Sequence, residues 1–69
     1  MVYKVSVYDF VKKEEEPLRE FEKFENAEEY AYSEALNYCE DEKPRRQNVR
    51  DTIWVYFTNS DFGVLIKED

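Results

Sequence analysis

The sequence of 69 residues contains no histidine, one cysteine and one glycine, and each scarcity removes a class of site. Because histidine is the usual general base near neutral pH and the commonest metal ligand, His-dependent triads and ordinary zinc sites are excluded. Gly63 is alone, so neither a P-loop nor a dinucleotide-binding glycine turn can be formed. Cys39 has no cysteine to pair with and no histidine to activate it, which is typical of a small core residue. We therefore expect no catalytic residue, no cofactor and no metal site, and a protein that is not an enzyme.

Long apolar runs are also missing, since no stretch approaches the roughly 18 residues that are needed to span a bilayer. The first residues alternate between apolar and polar side chains and do not resemble a secretion signal. A single unpaired thiol fits a reducing compartment. We therefore expect a soluble, cytoplasmic protein that has no membrane partner.

The length of the chain is about half that of the commonest domain, which predicts a single small domain over residues 1–69. Hydrophobic residues make up 42% of the chain and aromatic residues 17%, which indicates a folded core. A chain this short has little room for an enclosed catalytic cavity.

The net charge of -7 is unevenly distributed along the chain. Residues 13–42 hold twelve carboxylates against three cations, whereas residues 43–50 hold four cations and no acid. An acidic protein repels the phosphates of nucleic acids and attracts basic protein surfaces. The composition therefore favours a protein partner with a basic surface, and we do not expect nucleic acid to be the partner.

Alternation of apolar and polar residues predicts four strands, over residues 1–12, 18–24, 51–58 and 64–67. The third of these is the richest in β-branched and aromatic residues. The second is the least regular, because Leu18, Phe21 and Phe24 recur every three residues, as a bulge or a helical turn would explain.

A helix is predicted between the second and third strands, starting at Asn26, whose side chain can cap the first free amides. Its apolar half consists of Ala27, Ala31, Tyr32, Ala35, Leu36, Tyr38 and Cys39. The three alanines form a column that would let the helix lie close to a sheet. Pro44 ends the helix, and residues 43–50 are predicted to form an exposed basic loop. The order β-β-α-β-β predicts an α+β fold of two layers, with one helix packed on a four-stranded antiparallel sheet.

The strand alternation also predicts which side chains the helix covers. We assign Val5, Val7, Ile53, Val55 and Phe57 to the covered face. This leaves Tyr8, Phe10, Trp54 and Tyr56 on the open face. Because Trp and Tyr are enriched at interface hot spots, we expect these four aromatic residues to anchor a protein partner, unless loop side chains cover them.

The acidic residues suggest how a partner would be recognised. Carboxylates of the segment over residues 14–42 can stand in for backbone phosphates and occupy the basic groove of a nucleic-acid-processing protein. The acidic binding residues that we predict are Glu28, Glu29, Glu34 and Glu40. In size, charge and lack of catalytic residues the chain resembles small acidic proteins that block host nucleases or restriction systems. We therefore expect a non-enzymatic inhibitor or nucleic-acid mimic, although glutamates also commonly do no more than solvate a helix.

Two alternatives follow from other features of the sequence. In the first, aromatic sheet faces of two copies pack together in a structural homodimer. In the second, the basic segment binds single-stranded nucleic acid through Lys43, Arg45, Arg46 and Arg50.

Overall fold

The computed structural model describes residues 1–39, 42–58 and 60–69. The elements in chain order are β1 (Tyr3–Asp9), β2 (Glu14–Phe21), α1 (Phe24–Leu36), β3 (Arg45–Arg50), β4 (Ile53–Phe57) and β5 (Phe62–Glu68). The strands form one antiparallel sheet in the order β2-β1-β5-β4-β3, and α1 packs on one side of it. The predicted α+β class is confirmed, but the sheet has five strands, so the predicted number of four is wrong. No helix in the described residues is long and apolar enough to cross a membrane.

The strand that the sequence pattern missed is β3, which was expected to be a loop. All six of its residues are exposed, because β3 lies at the edge of the sheet and pairs only with β4. An edge strand that buries neither face needs no apolar alternation, so hydrophobic periodicity does not reveal it. The side-chain amide of Asn48 donates hydrogen bonds to the backbone carbonyls of Arg50 and Ile53. These hydrogen bonds connect the end of β3 to the start of β4.

The other edge strand, β2, begins at Glu14, whereas the second predicted strand began at residue 18. The turn between β1 and β2 is short, since Lys13 adopts a positive φ of 58° and the Asp9 carboxylate accepts hydrogen bonds from the backbone N–H of Val11 and Lys12. The register with β1 then shifts between Val5 and Ser6, which is a bulge. The three-residue spacing of apolar residues noted above thus combines a bulged strand with the first residue of α1.

Helix α1 begins at Phe24, with Lys23 at the N-cap position and no side-chain capping bond, so the predicted cap at Asn26 is wrong. The alanine column is confirmed, because Ala27, Ala31 and Ala35 are each 0% exposed. Without bulky side chains on this stripe, the helix backbone can approach the sheet closely. The stripe packs in one core cluster with Val5, Val7, Val64 and Ile66 of the interior strands β1 and β5.

The predicted orientation of β4 is wrong. Trp54 and Tyr56 pack against the helix, whereas Val55 and its odd-numbered neighbours lie on the other side of the sheet. Both faces of this strand are apolar, so alternation alone did not decide which one the helix covers. The narrow alanine stripe leaves space beside the helix, and the large rings fill it: Trp54 lies 4.8 Å from Phe24 and Tyr56 lies 6.1 Å from Tyr32 between ring centroids.

Candidate protein-binding surfaces

The side of the sheet that carries α1, here called the helix side, displays the acidic residues of the helix. Helix α1 contains four glutamates and no lysine or arginine. Glu29 is exposed, and Glu28 and Glu34 are half-buried. Glu28 forms an ion pair with Arg46 of β3, which neutralises part of its charge. The fourth predicted acidic binding residue, Glu40, lies outside the described residues.

Strand β2 adds two carboxylates to the helix side. Glu14 pairs with Asp9 and Glu16 pairs with Val7 across the β1–β2 ladder. Directly paired residues of an antiparallel ladder share a face, and Val7 belongs to the core cluster beneath the helix. The acidic surface therefore extends from the helix onto the edge of the sheet.

Tyrosines beside the acidic residues have altered titration. Burial raises the pKa of the Tyr30 hydroxyl above its ordinary value, and the charge and hydrogen bond of Glu34 raise it further. Burial also raises the pKa of Tyr56, although the charge of Arg46 lowers it in part. Both phenols are therefore neutral at physiological pH, and the negative charge on this side comes from carboxylates.

Two of the four predicted aromatic anchors are not available on the open face, which is the side of the sheet opposite the helix. Tyr56 is 4% exposed within the core, and Trp54 is half-buried against Phe24. Tyr8 and Phe10 do lie on the open face, as their contacts with one another and with Phe57 show. The open face therefore lacks Trp54 and Tyr56 and includes Phe57, which was not predicted there.

Phe10, Tyr8 and Phe57 form the aromatic cluster of the open face. The rings of Phe10 and Tyr8 meet edge to face at 5.2 Å, and those of Phe10 and Phe57 are stacked at 6.1 Å between centroids. Phe10 and Phe57 remain 40% and 37% exposed. The sequence analysis assigned Phe57 to the covered face because it predicted the wrong orientation for β4. The alternation along the strand did indicate correctly that Phe57 lies on the face opposite Trp54 and Tyr56.

A polar network adjoins this aromatic cluster. Glu15 accepts hydrogen bonds from Ser6 Oγ at 2.7 Å and from Lys67 Nζ at 2.6 Å. Partial burial would raise the pKa of the Glu15 carboxyl, but the two hydrogen bonds and the charge of Lys67 outweigh it, so the pKa lies below its ordinary value. These side chains line a groove of about 630 Å³ between β2 and the start of β4. The open face therefore has a polar region, formed by Ser6, Glu15 and Lys67, beside its aromatic cluster.

No family model, curated protein or solved structure matches this chain.

The predicted basic site is divided between two sides of the sheet. Arg45 pairs with Phe57 and Arg50 pairs with Ile53, so both belong to the open face. Arg46 pairs with Tyr56 and contacts Glu28 on the helix side. Lys43 is exposed ahead of the strand. Because β3 alternates these cations between faces, they do not form one cationic surface for a nucleic-acid strand.

Cys39 lies just beyond α1 and is half-buried. Among the described residues, no three histidine, cysteine, aspartate or glutamate side chains are grouped closely enough to hold a metal ion.

Proposed function

We propose that this protein is a non-enzymatic module that binds a basic surface of a partner protein through its acidic helix side. The observation that carries the proposal is the separation of charge between the two sides of the sheet. On the helix side, α1 and β2 together contribute six carboxylates, against the two strand cations Arg19 and Arg46. On the open face, four cations accompany the two carboxylates of Glu15 and Glu20, namely Lys4, Lys67, Arg45 and Arg50.

The spacing of the carboxylates supports an extended basic partner. Glu25 and Glu29 are one helical turn apart, which places their Cβ atoms about 6 Å from each other. Glu14 and Glu16 are two residues apart on β2, so they lie on the same face and are separated by about 7 Å. Rows of anions on this scale suit a groove that is lined with lysine and arginine.

Such grooves are characteristic of nucleic-acid-processing proteins, whose binding energy comes largely from contacts to phosphates. The finer proposal is therefore that the helix side acts as a nucleic-acid mimic and inhibits such a protein by occupying its groove. It includes a cytoplasmic location, where an unpaired thiol such as Cys39 stays reduced. Inhibition of this kind requires a rigid charged surface and no chemistry.

The test is a capture experiment with the immobilised protein at low and at high salt. We expect a basic nucleic-acid-binding protein to be retained at low salt, to be lost at high salt and to be displaced by added duplex DNA. Displacement by DNA separates a mimic from a module that binds elsewhere on the partner. Retention that is insensitive to both salt and DNA would contradict the proposal.

A matched pair of variants assigns the contact to the helix side. The double variant E25K and E29K reverses two exposed charges on the helix, whereas D51K and D61K makes the same change of charge in two exposed turns. We expect the helix variant to lose capture and the turn variant to keep it, with circular dichroism verifying that both are folded. Equal loss in both variants would show that only the net charge matters, and the proposed surface would be wrong.

A further inference from the structure

The open face has a cross-strand row that is complementary to itself. Ladder pairing aligns one residue from each strand in the order Glu15, Tyr8, Gly63, Phe57 and Arg45. The row has an acid at one end and a base at the other, with an aromatic residue next to each. At its centre is Gly63, where the ring of Phe10 lies so close that a Cβ atom would come within 2.8 Å of it.

A second row on the same face has the same polarity. Its members, in strand order, are Glu20, Lys4, Lys67, Ile53 and Arg50. Glutamate again occupies β2, and arginine again occupies β3. The two edges of the open face are therefore oppositely charged at two levels along the strands.

We propose that the open face binds a second copy of this chain, face to face, about a twofold axis that runs along the central strand β5. This rotation places β2 of one copy over β3 of the other. Glu15 then faces Arg45 of the second copy, Glu20 faces Arg50, and each pair occurs twice by symmetry. Tyr8 lies over Phe57, so the exposed aromatic clusters cover each other.

The charges select this axis over the other twofold arrangement of two stacked sheets. An axis perpendicular to the strands would place β2 over β2 and β3 over β3, so that acids would face acids and arginines would face arginines. Like charges placed opposite each other are destabilising, so the axis along β5 is favoured. The Lys67 side chains of the two copies come near each other at this axis. The ion pair of each Lys67 with Glu15, at 2.6 Å, offsets the repulsion between the two ammonium groups.

The area of the face is suited to a weak dimer. Five strands at about 4.8 Å spacing give a width of roughly 24 Å, and strands of about six residues extend over roughly 20 Å. Two copies would bury roughly 1,000 Å² in total, which is near the lower limit for a specific interface. The groove beside Ser6 is polar, and in the dimer it would remain hydrated, as is common at interfaces. We therefore expect dissociation in the micromolar range.

Complementary charge reversal tests the axis directly. One variant, R45E with R50E, makes the basic edge acidic, and a second, E15R with E20R, makes the acidic edge basic. Each variant alone would place like charges opposite each other and is expected to dimerise about tenfold more weakly than the unmodified protein. An equimolar mixture restores opposite charges at all four contacts, so we expect it to form a heterodimer of nearly the original affinity. Sedimentation equilibrium measures the four association constants, which are those of the unmodified protein, of each variant alone and of the heterodimer.

Control variants on the helix side of the same strands complete the test. R46E and E16R change the same charges on β3 and β2 but point away from the proposed interface, and we expect them to dimerise normally. Circular dichroism establishes that each variant is folded. The proposal is overturned if the unmodified protein is monomeric up to about 1 mM, if the reversed variants dimerise normally, or if mixing them restores nothing. It uses the face opposite the acidic surface, so its failure leaves the proposed function intact.

Discussion

The ring of Phe10 lies directly over Gly63, and this contact depends on the absence of a side chain at position 63. An added Cβ atom would come within 2.8 Å of two carbons of the ring and 3.3 Å of the Tyr56 carbonyl oxygen. Gly63 does not have a positive φ, so its backbone would accept alanine. The glycine is therefore required by the close approach of the ring.

This contact predicts that Gly63→Ala has opposite effects on the free energy of unfolding when Phe10 is present and when it is replaced by alanine. In the unmodified protein the substitution displaces Phe10, and we expect a loss of about 1 kcal/mol in the free energy of unfolding. In a Phe10→Ala background the steric conflict is gone, and alanine should stabilise the strand by about 0.5 kcal/mol. Urea unfolding of the four proteins in this double-mutant cycle measures both values. Equal effects in the two backgrounds would show that the ring does not occupy this position.

The alanine stripe of α1 predicts a strong response to an added side chain. Ala31→Leu inserts three carbons where the helix meets the sheet, and overpacking of this kind costs about 1–3 kcal/mol. That is a large part of the roughly 3–5 kcal/mol expected for a core of this size. Ser33→Leu, at an exposed position of the same helix, is the control and should change the stability by less than about 0.5 kcal/mol. Thermal unfolding followed by circular dichroism distinguishes the two.

The orientation of β4 can be tested through its single tryptophan. Trp54 packs against Phe24 on the helix side, so we expect Phe24→Ala to increase the quenching of its fluorescence by acrylamide. Phe57→Ala removes a ring from the open face and should leave the quenching unchanged. The reverse result, with quenching raised only by the Phe57 variant, would restore the orientation expected from the sequence.

Glu15 predicts a dependence of stability on pH. Its pKa is lowered in the folded protein, so its stabilising contribution is complete above the ordinary value of 4.5 and is lost as the pH falls through the lowered value. We expect Glu15→Gln to be less stable than the unmodified protein by about 0.5–1 kcal/mol at pH 7, as for a partly exposed ion pair. This difference should shrink in acid.

Glu16→Gln is the matched control for that measurement, because Glu16 is the next residue on the same strand and lies on the helix side. Urea unfolding at pH 7 and at pH 3 should show no comparable change for this variant. A Glu15→Gln difference that stayed constant across this range would mean that the carboxylate is not held by Lys67 and Ser6.

Part of the architecture could be predicted because it follows from local sequence. The alternation of Val5 and Val7 identified β1, and the spacing of Ala27, Ala31 and Ala35 identified the buried side of the helix. Both patterns arise from one element that buries one side, and such patterns survive without knowledge of its neighbours. The acidic character of α1 could be predicted for the same reason, since its residues belong to one short segment.

Other features could not be predicted because they depend on pairing between distant segments. Nothing in residues 45–50 shows a buried face, and they form a strand only because β4 offers them a hydrogen-bonding edge. The direction of Trp54 was undetermined by a strand that is apolar on both faces, and only the fit of its ring beside the alanine stripe decided it. The contact between Glu15 and Lys67 joins residues 52 positions apart.

The sequence by itself determined the α+β class, the alanine stripe of the helix, the acidic segment and the lack of histidine chemistry, because composition and local periodicity encode these properties. Tertiary structure alone decided the fifth strand, the side on which each aromatic ring of β4 lies, and the rows that align Glu15 with Arg45 and Glu20 with Arg50 across the sheet. Those properties depend on register and packing, where a shift of one residue exchanges the two faces of a strand.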